Sequence, residues 1–287
     1  MKKCLLGFLG AVVLVAAGTS TARADSWVEV GVDAWNTQIS GYLSFPKSLG
    51  PDQKVYFRDD LNMGRRWNPN FYFAWHNSVP FLPDLRLEYG NLLSDGSTSL
   101  GNVCYDGIHY HGEINGQIAL KLARILFYWN PIDNSVLDLR VGVDFRWVSL
   151  NTAATGSVKE SAGVPPGCPT ISLPARTASP VAGGDPAQTT ILSKSKSAGV
   201  VTWLPEANLG LTVHLPGRFD ILFEGSGVPY ASSYLYDFRL GFQYRFASGL
   251  IFGVGYRHWR LHLDNTDWSV NGNLDFKGPY ASVAWRF

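Results

Sequence analysis

From Tyr234 to Phe246 the chain reads YLYDFRLGFQYRF and alternates without a break. Tyr234, Tyr236, Phe238, Leu240, Phe242, Tyr244 and Phe246 fall on one face; Asp237, Arg239, Gln243 and Arg245 fall on the other, with Leu235 and Gly241. A period of two belongs to a β-strand, whose successive side chains point to opposite faces. The 13 residues from 234 to 246, at ~3.3 Å each, reach roughly 43 Å. Tilted by ~45°, a strand of that length crosses a hydrocarbon core of ~30 Å. One Asp and two Arg opposite seven large apolar groups suit a wall with lipid outside and a polar lumen inside.

The same alternation recurs along the chain. Val28, Val30 and Val32 open a first strand over Trp27–Ser44. Phe71, Phe73 and Trp75 mark a second, and Leu85, Leu87 and Tyr89 a third, separated by the proline-containing turn at 78–84. Residues 91–116 read as a loop. A fourth strand, 117–129, changes phase at Arg124, which predicts a β-bulge. The fifth, 137–147, is regular: Leu137, Leu139, Val141, Val143, Phe145 and Trp147 against Asp138, Arg140, Asp144 and Arg146. No aromatic occurs between Trp147 and Trp203, and the Ser/Thr/Ala/Gly/Pro-rich composition there predicts one long mobile loop over about 150–199. Strands follow at 201–215, 219–224, 234–246 and 250–263, the last with a second phase change at Arg257; after a polar loop at 265–278 the chain closes with 279–287. Connections alternate long and short, except after the seventh strand, as in outer-membrane barrels with short periplasmic turns. The prediction is an all-β, transmembrane, antiparallel up-and-down barrel of ten strands; eight or twelve fit the same pattern.

Composition narrows the class. The chain is 46% hydrophobic, 16% charged and 14% aromatic, with 10 Trp, 13 Tyr and a net charge of +1. Near-neutrality gives nucleic acid no attraction, and Trp and Tyr are the residues of membrane–water interfaces. Residues 1–24 read as a secretory signal peptide: Lys2 and Lys3, an apolar run from Leu5 to Ala17, then Ala22-Arg23-Ala24 before a mature start at Asp25. The barrel domain is then 25–287. Cys4 leaves with the signal, and the remaining Cys104 and Cys168 could form a disulfide between outer loops in an oxidising compartment.

HNSVPFLPDLRLEYGNL, SSYLYDFRLGFQYRF, GVGYRHWRLHLDN and the terminal FKGPYASVAWRF resemble an outer-membrane family of Gly-Gly-type β-barrels. The likeness implies fold and outer-membrane location, with lipid and lipopolysaccharide as surroundings. The family carries no activity to bring over. Phe287 also resembles the C-terminal signal read by the barrel-assembly machinery.

The inward charges are the first candidate for function. Alternation places Glu29, Asp33, Glu88, Asp138, Asp144, Asp220, Glu224 and Asp237 inside, against Arg86, Lys121, Arg140, Arg146, Arg239, Arg245, Arg257 and Arg286. A narrow barrel fills its lumen with side chains, and buried charges persist only when paired. Balanced signs favour a salt-bridged plug over a selective channel lining, which usually shows one sign.

The second candidate is histidine. His109 and His111 lie beside Asp106, and His258 and His262 near Asp264 and Asp267. Four residues along a strand are roughly 13 Å, not a helical metal pair. An omptin-like protease dyad, or a lipid A-modifying esterase using Ser232 or Ser233, is the alternative function, without a matching local motif. Nothing calls for a cofactor or metal. The expectation is a non-enzymatic barrel, structural or a narrow conduit for small solutes.

Overall fold

The computed structural model describes residues 26–44, 54–79, 81–105, 108–159, 191–230, 232–264 and 271–287. The signal peptide, Cys168, Asp106, Asp267 and segment 160–190 lie outside the described residues, as do the side chains of Cys104, His109 and His111, so the disulfide and the His109/His111 constellation belong to that part of the chain.

The strands are β1 (Trp27–Ser44), β2 (Lys54–Tyr56), β3 (Arg65–His76), β4 (Asp84–Tyr105), β5 (Ile108–Asp133), β6 (Leu137–Lys159), β7 (Ile191–Leu215), β8 (Phe219–Tyr230), β9 (Ser233–Arg245), β10 (Leu250–Leu263) and β11 (Asn271–Arg286). Each long strand pairs antiparallel with the next, and β11 pairs with β1, from Glu29↔Arg286 to Ser44↔Asn271. The three-residue β2 only rides on the end of β1. The result is a closed, ten-stranded, up-and-down barrel. Closure leaves no sheet edge around the barrel wall itself; only the overhanging ends of β4 and β7 pair on one side.

Both ends of the described chain and the tight turns at 77–83, 134–136, 216–218 and 246–249 share one end of the barrel, here the turn end. At the opposite, loop end, β4–β7 run well past their neighbours: β6 and β7 still pair at Lys159↔Ile191, and β4 and β5 at Tyr105↔Ile108. Residues 91–105 and 108–116 are therefore strand rather than loop, with a register shift between Leu100 and Val103. The expected loop over 150–199 likewise gives up 150–159 and 191–199 to β6 and β7. Pairing in a hairpin satisfies the backbone whether or not aromatic side chains are present, so composition alone misjudged both stretches. The final strand also begins earlier than expected, at Asn271.

The outer wall carries an exposed apolar band: Trp67, Phe71, Phe73 and Trp75 on β3, Leu209 on β7, Leu240 and Phe242 on β9, Val254 and Tyr256 on β10, Val283 and Trp285 on β11. Trp67 to Trp75 spans roughly 27 Å of strand, or about 20 Å along the barrel axis at a tilt of ~40°.

Neither predicted bulge exists. On β5 the inward set runs unbroken through Ile118, Leu120, Leu122, Arg124, Leu126 and Tyr128, all buried. On β10 it continues from Arg257 through Trp259 and Leu261 to Leu263. What changes at Arg124 and Arg257 is the chemistry of the outer face, from polar on the loop-end side (Lys121; His258, Arg260, His262) to apolar on the turn-end side (Phe127; Phe252, Val254, Tyr256), not the phase of the strand. Toward the loop end the barrel is filled with apolar side chains, including Trp35, Ile39, Leu92, Leu120, Leu235 and Phe276. The segment after β2 turns into this core, burying Phe57 and Met63, with Leu61 packed against them. Gly96 and Gly116 make room for it: a Cβ on Gly96 would strike the Leu61 carbonyl, and one on Gly116 would lie 2.9 Å from Leu61 Cδ1.

Candidate functional site

Below the apolar core, toward the turn end, the interior is ionic. Arg124 donates through Nε to Asp144 (2.8 Å) and through Nη1 to Glu224 (2.7 Å), and lies 3.5 Å from Glu88. Arg146 reaches Glu206 (2.9 Å) and Asp237 (2.7 Å) and donates to Ser226. Arg257 forks onto both oxygens of Asp237 at 2.9 and 2.6 Å and lies 4.8 Å over the Trp35 ring. Arg239 lies 3.4 Å from Glu88 and 3.5 Å from Asp33. These contacts join strands that do not touch in the sheet: β5 to β8, β6 to β9, β4 to β9 and β1 to β9. They cross the lumen.

Nearer the turn end the pairing becomes more local. Arg86 donates to Glu88 at 2.7 Å and lies 4.2 Å over Tyr72, whose hydroxyl donates to Glu29. Glu29 also accepts from Arg286 at 2.7 Å across the β1–β11 seam. Arg245 and His214 meet on Asp220, each at 2.7 Å. Asp138 is half-buried, and Arg140 lies 5.9 Å from the Tyr128 ring. Of the sixteen charges that alternation placed inside, Glu29, Asp33, Arg86, Glu88, Asp144, Arg146, Asp220, Glu224, Asp237, Arg239, Arg245, Arg257 and Arg286 form ion pairs, and Asp138 and Arg140 lie near them on the inner face.

Lys121, also expected inside, is exposed on the outer wall; the supposed bulge had assigned β5 the wrong face on that side of Arg124. The same assumption hid Arg124, and Glu206 was overlooked although it shares the inward face of β7 with Asn208 and Thr212, opposite Leu209 and Leu211. Buried His76 with Asp84 (2.8 Å) closes the β3–β4 turn.

The histidine candidates point elsewhere. His258 faces outward, 3.1 Å from Asp275, and His262 stacks on Tyr234 with 5.0 Å between ring centroids. Ser232 donates to the Asp264 carbonyl, and Ser233 accepts from the Asp264 amide at 3.0 Å, so both serines tie off the β9 and β10 ends. Among the described residues no cluster of His, Cys, Asp and Glu could hold a metal.

The outer membrane protease OmpT of Escherichia coli superposes with a TM-score of 0.53 at 8% identity, over 94% of this chain and 99% of that one. The fold is that of an outer-membrane barrel. At 8% identity the likeness shows the fold and nothing of activity. Ail of Yersinia pestis overlaps with a TM-score of 0.33 at 7% identity, over 92% of this chain and 100% of that one. The Pseudomonas putida toluene transporter TodX does so at 0.32 and 11%, over 96% and 93%. No family model matches the chain, and no curated protein matches it. The resemblance to Gly-Gly-type barrels is therefore supported as a barrel of this kind and not as that family.

Proposed function

We propose that this chain is an integral outer-membrane protein with a sealed lumen, a structural barrel rather than an open solute path or an enzyme. The observation that carries this reading is the stacking of two different seals: Arg124, Arg146 and Arg239 bridged across the lumen to Glu224, Asp237 and Glu88, and a packed apolar core directly above them. An ion would have to break paired charges and then cross a hydrocarbon-like layer, and either alone is costly. The exposed apolar wall supports membrane residence, since soluble proteins rarely expose contiguous apolar patches beyond a few hundred Å². By the usual arrangement of such barrels the turn end faces the periplasm and the overhanging β4–β7 hairpins face outward. Export by the 1–24 segment and insertion through Phe287 complete the reading.

The test is reconstitution of the mature chain, 25–287, into planar bilayers, with peptide and lipid A hydrolysis assayed on the same preparation. The expected result is insertion without steady conductance and without turnover. A steady porin-like current would establish a conduit instead, and cleavage of either substrate would establish the hydrolase.

A further inference from the structure

We propose that one sector of the outer wall, β3–β1–β11–β10–β9, holds a phosphorylated glycolipid of the lipid A type, with an acyl chain in an apolar groove and its phosphates on a cationic row above. This rests on the membrane reading and adds a defined lipid site to it. The groove, of about 440 Å³, is lined by Ala34 and Ala281, which face each other across the β1–β11 seam, and by Val254, Phe242, Phe252 and Tyr244. Two small side chains make a floor that aromatic neighbours on β9 and β10 rise above.

The register places the charges. Two rows nearer the loop end than the Ala34–Ala281 pair, Arg65, Gln38, Lys277 and His258 lie abreast on β3, β1, β11 and β10. At ~4.8 Å per strand they span about 15 Å. Arg260 stands one outward-facing position further along β10. Arg65 is exposed and donates to Gln38 Oε1 at 3.4 Å, and Lys277 is exposed, with no carboxylate within ion-pair distance of it among the described residues. Asp275, on the same face, is engaged by His258 at 3.1 Å. Between row and groove lies Asn36, whose buried Oδ1 has no hydrogen-bond partner among the described residues. The charge excess calls for an anion, the groove for an acyl chain, and a row about 15 Å wide suits two separated phosphates better than one phosphodiester. The row lies on the loop-end side of the apolar band, where the outer-leaflet headgroups sit.

The experiment titrates the refolded mature chain, in detergent micelles, with bisphosphoryl lipid A, monophosphoryl lipid A and dioleoylphosphatidylcholine, read by native mass spectrometry. Affinity should fall in that order, and equimolar inorganic phosphate should not compete. The Arg65→Ala/Lys277→Ala double variant should lose roughly 30-fold in bisphosphoryl lipid A affinity. Ala281→Phe, which fills the groove and leaves the cations in place, should weaken both forms of lipid A. Circular dichroism on each variant separates loss of binding from loss of fold. Equal affinity for lipid A and phosphatidylcholine, or undiminished binding by the double variant, would overturn the site and leave the membrane barrel standing. Failure of the wild type to insert into phosphatidylcholine vesicles would sink the membrane reading and the lipid site with it.

Discussion

Arg124 and Arg146 face each other directly across β5 and β6, and Asp144 faces Glu206 across β6 and β7. Like charges in register repel, so the interior is stable only because each Arg bonds diagonally and across the lumen. Arg146 alone contacts Glu206, Asp237 and Asp144. Arg146→Ala should therefore cost ~3–5 kcal/mol, read as a lowered urea midpoint for unfolding in micelles. Arg140→Ala, beside the Tyr128 ring and with a side chain only half-buried, should cost under about 1 kcal/mol in the same assay. On the other face Leu240 is 45% exposed in the apolar band, and Leu240→Arg should destabilise the bilayer-inserted barrel by ~2–4 kcal/mol. Most lumen charges were legible because Asp237, Arg239, Asp144 and Arg146 sit in strands whose apolar face is unambiguous. Which Arg meets which carboxylate was not, because partners such as Arg239 and Glu88 are 151 residues apart and meet only once the barrel closes.

Among the strands, β9 was readable to within a residue, because lipid outside and charge inside give a clean period of two, and the bounds of β10 matched although its phase was misread. In β5 and β10 the outward residues turn polar on the loop-end side of Arg124 and Arg257, as with Lys121 and Arg260, while large apolar residues such as Leu120 and Trp259 stand inward there. The contrast reverses, and a reversal of contrast is indistinguishable in sequence from a one-residue slip. The meaning of that reversal requires the third dimension: it marks the level at which the wall leaves the apolar band. The inward turn at 57–63 left no periodic trace at all. Its seat on glycines gives a direct check. Gly116→Leu would collide with Leu61 and Met63 and displace the turn. Trypsin cleavage after Arg58 should then accelerate over wild type while the far-ultraviolet β signal persists; an unchanged cleavage rate would mean the turn does not depend on that seat.

For the barrel as a unit, two seals in series mean that breaching one should leave the lumen closed. Arg124→Ala/Glu224→Ala removes a cross-lumen pair under an intact apolar core, and Phe57→Ser/Met63→Ser loosens the core over an intact ionic layer. Each double variant should remain electrically silent in planar bilayers, and only the combined quadruple variant should pass steady current. Conductance from either pair of substitutions alone would show that a single layer does the sealing.

The seam where β1 meets β11 has a further consequence, for assembly. Glu29 and Arg286 are bonded although 257 residues separate them, and every pairing along that seam joins the start of the barrel to its finish. All other long-strand pairings join neighbours in sequence and can form as hairpins, locally and early. A nascent sheet therefore carries two unpaired margins until its last strand arrives, and such margins recruit other chains. A chaperone that shields the two margins until they meet would raise the yield of closed barrels, whereas one that merely covered apolar side chains would leave the hazard in place.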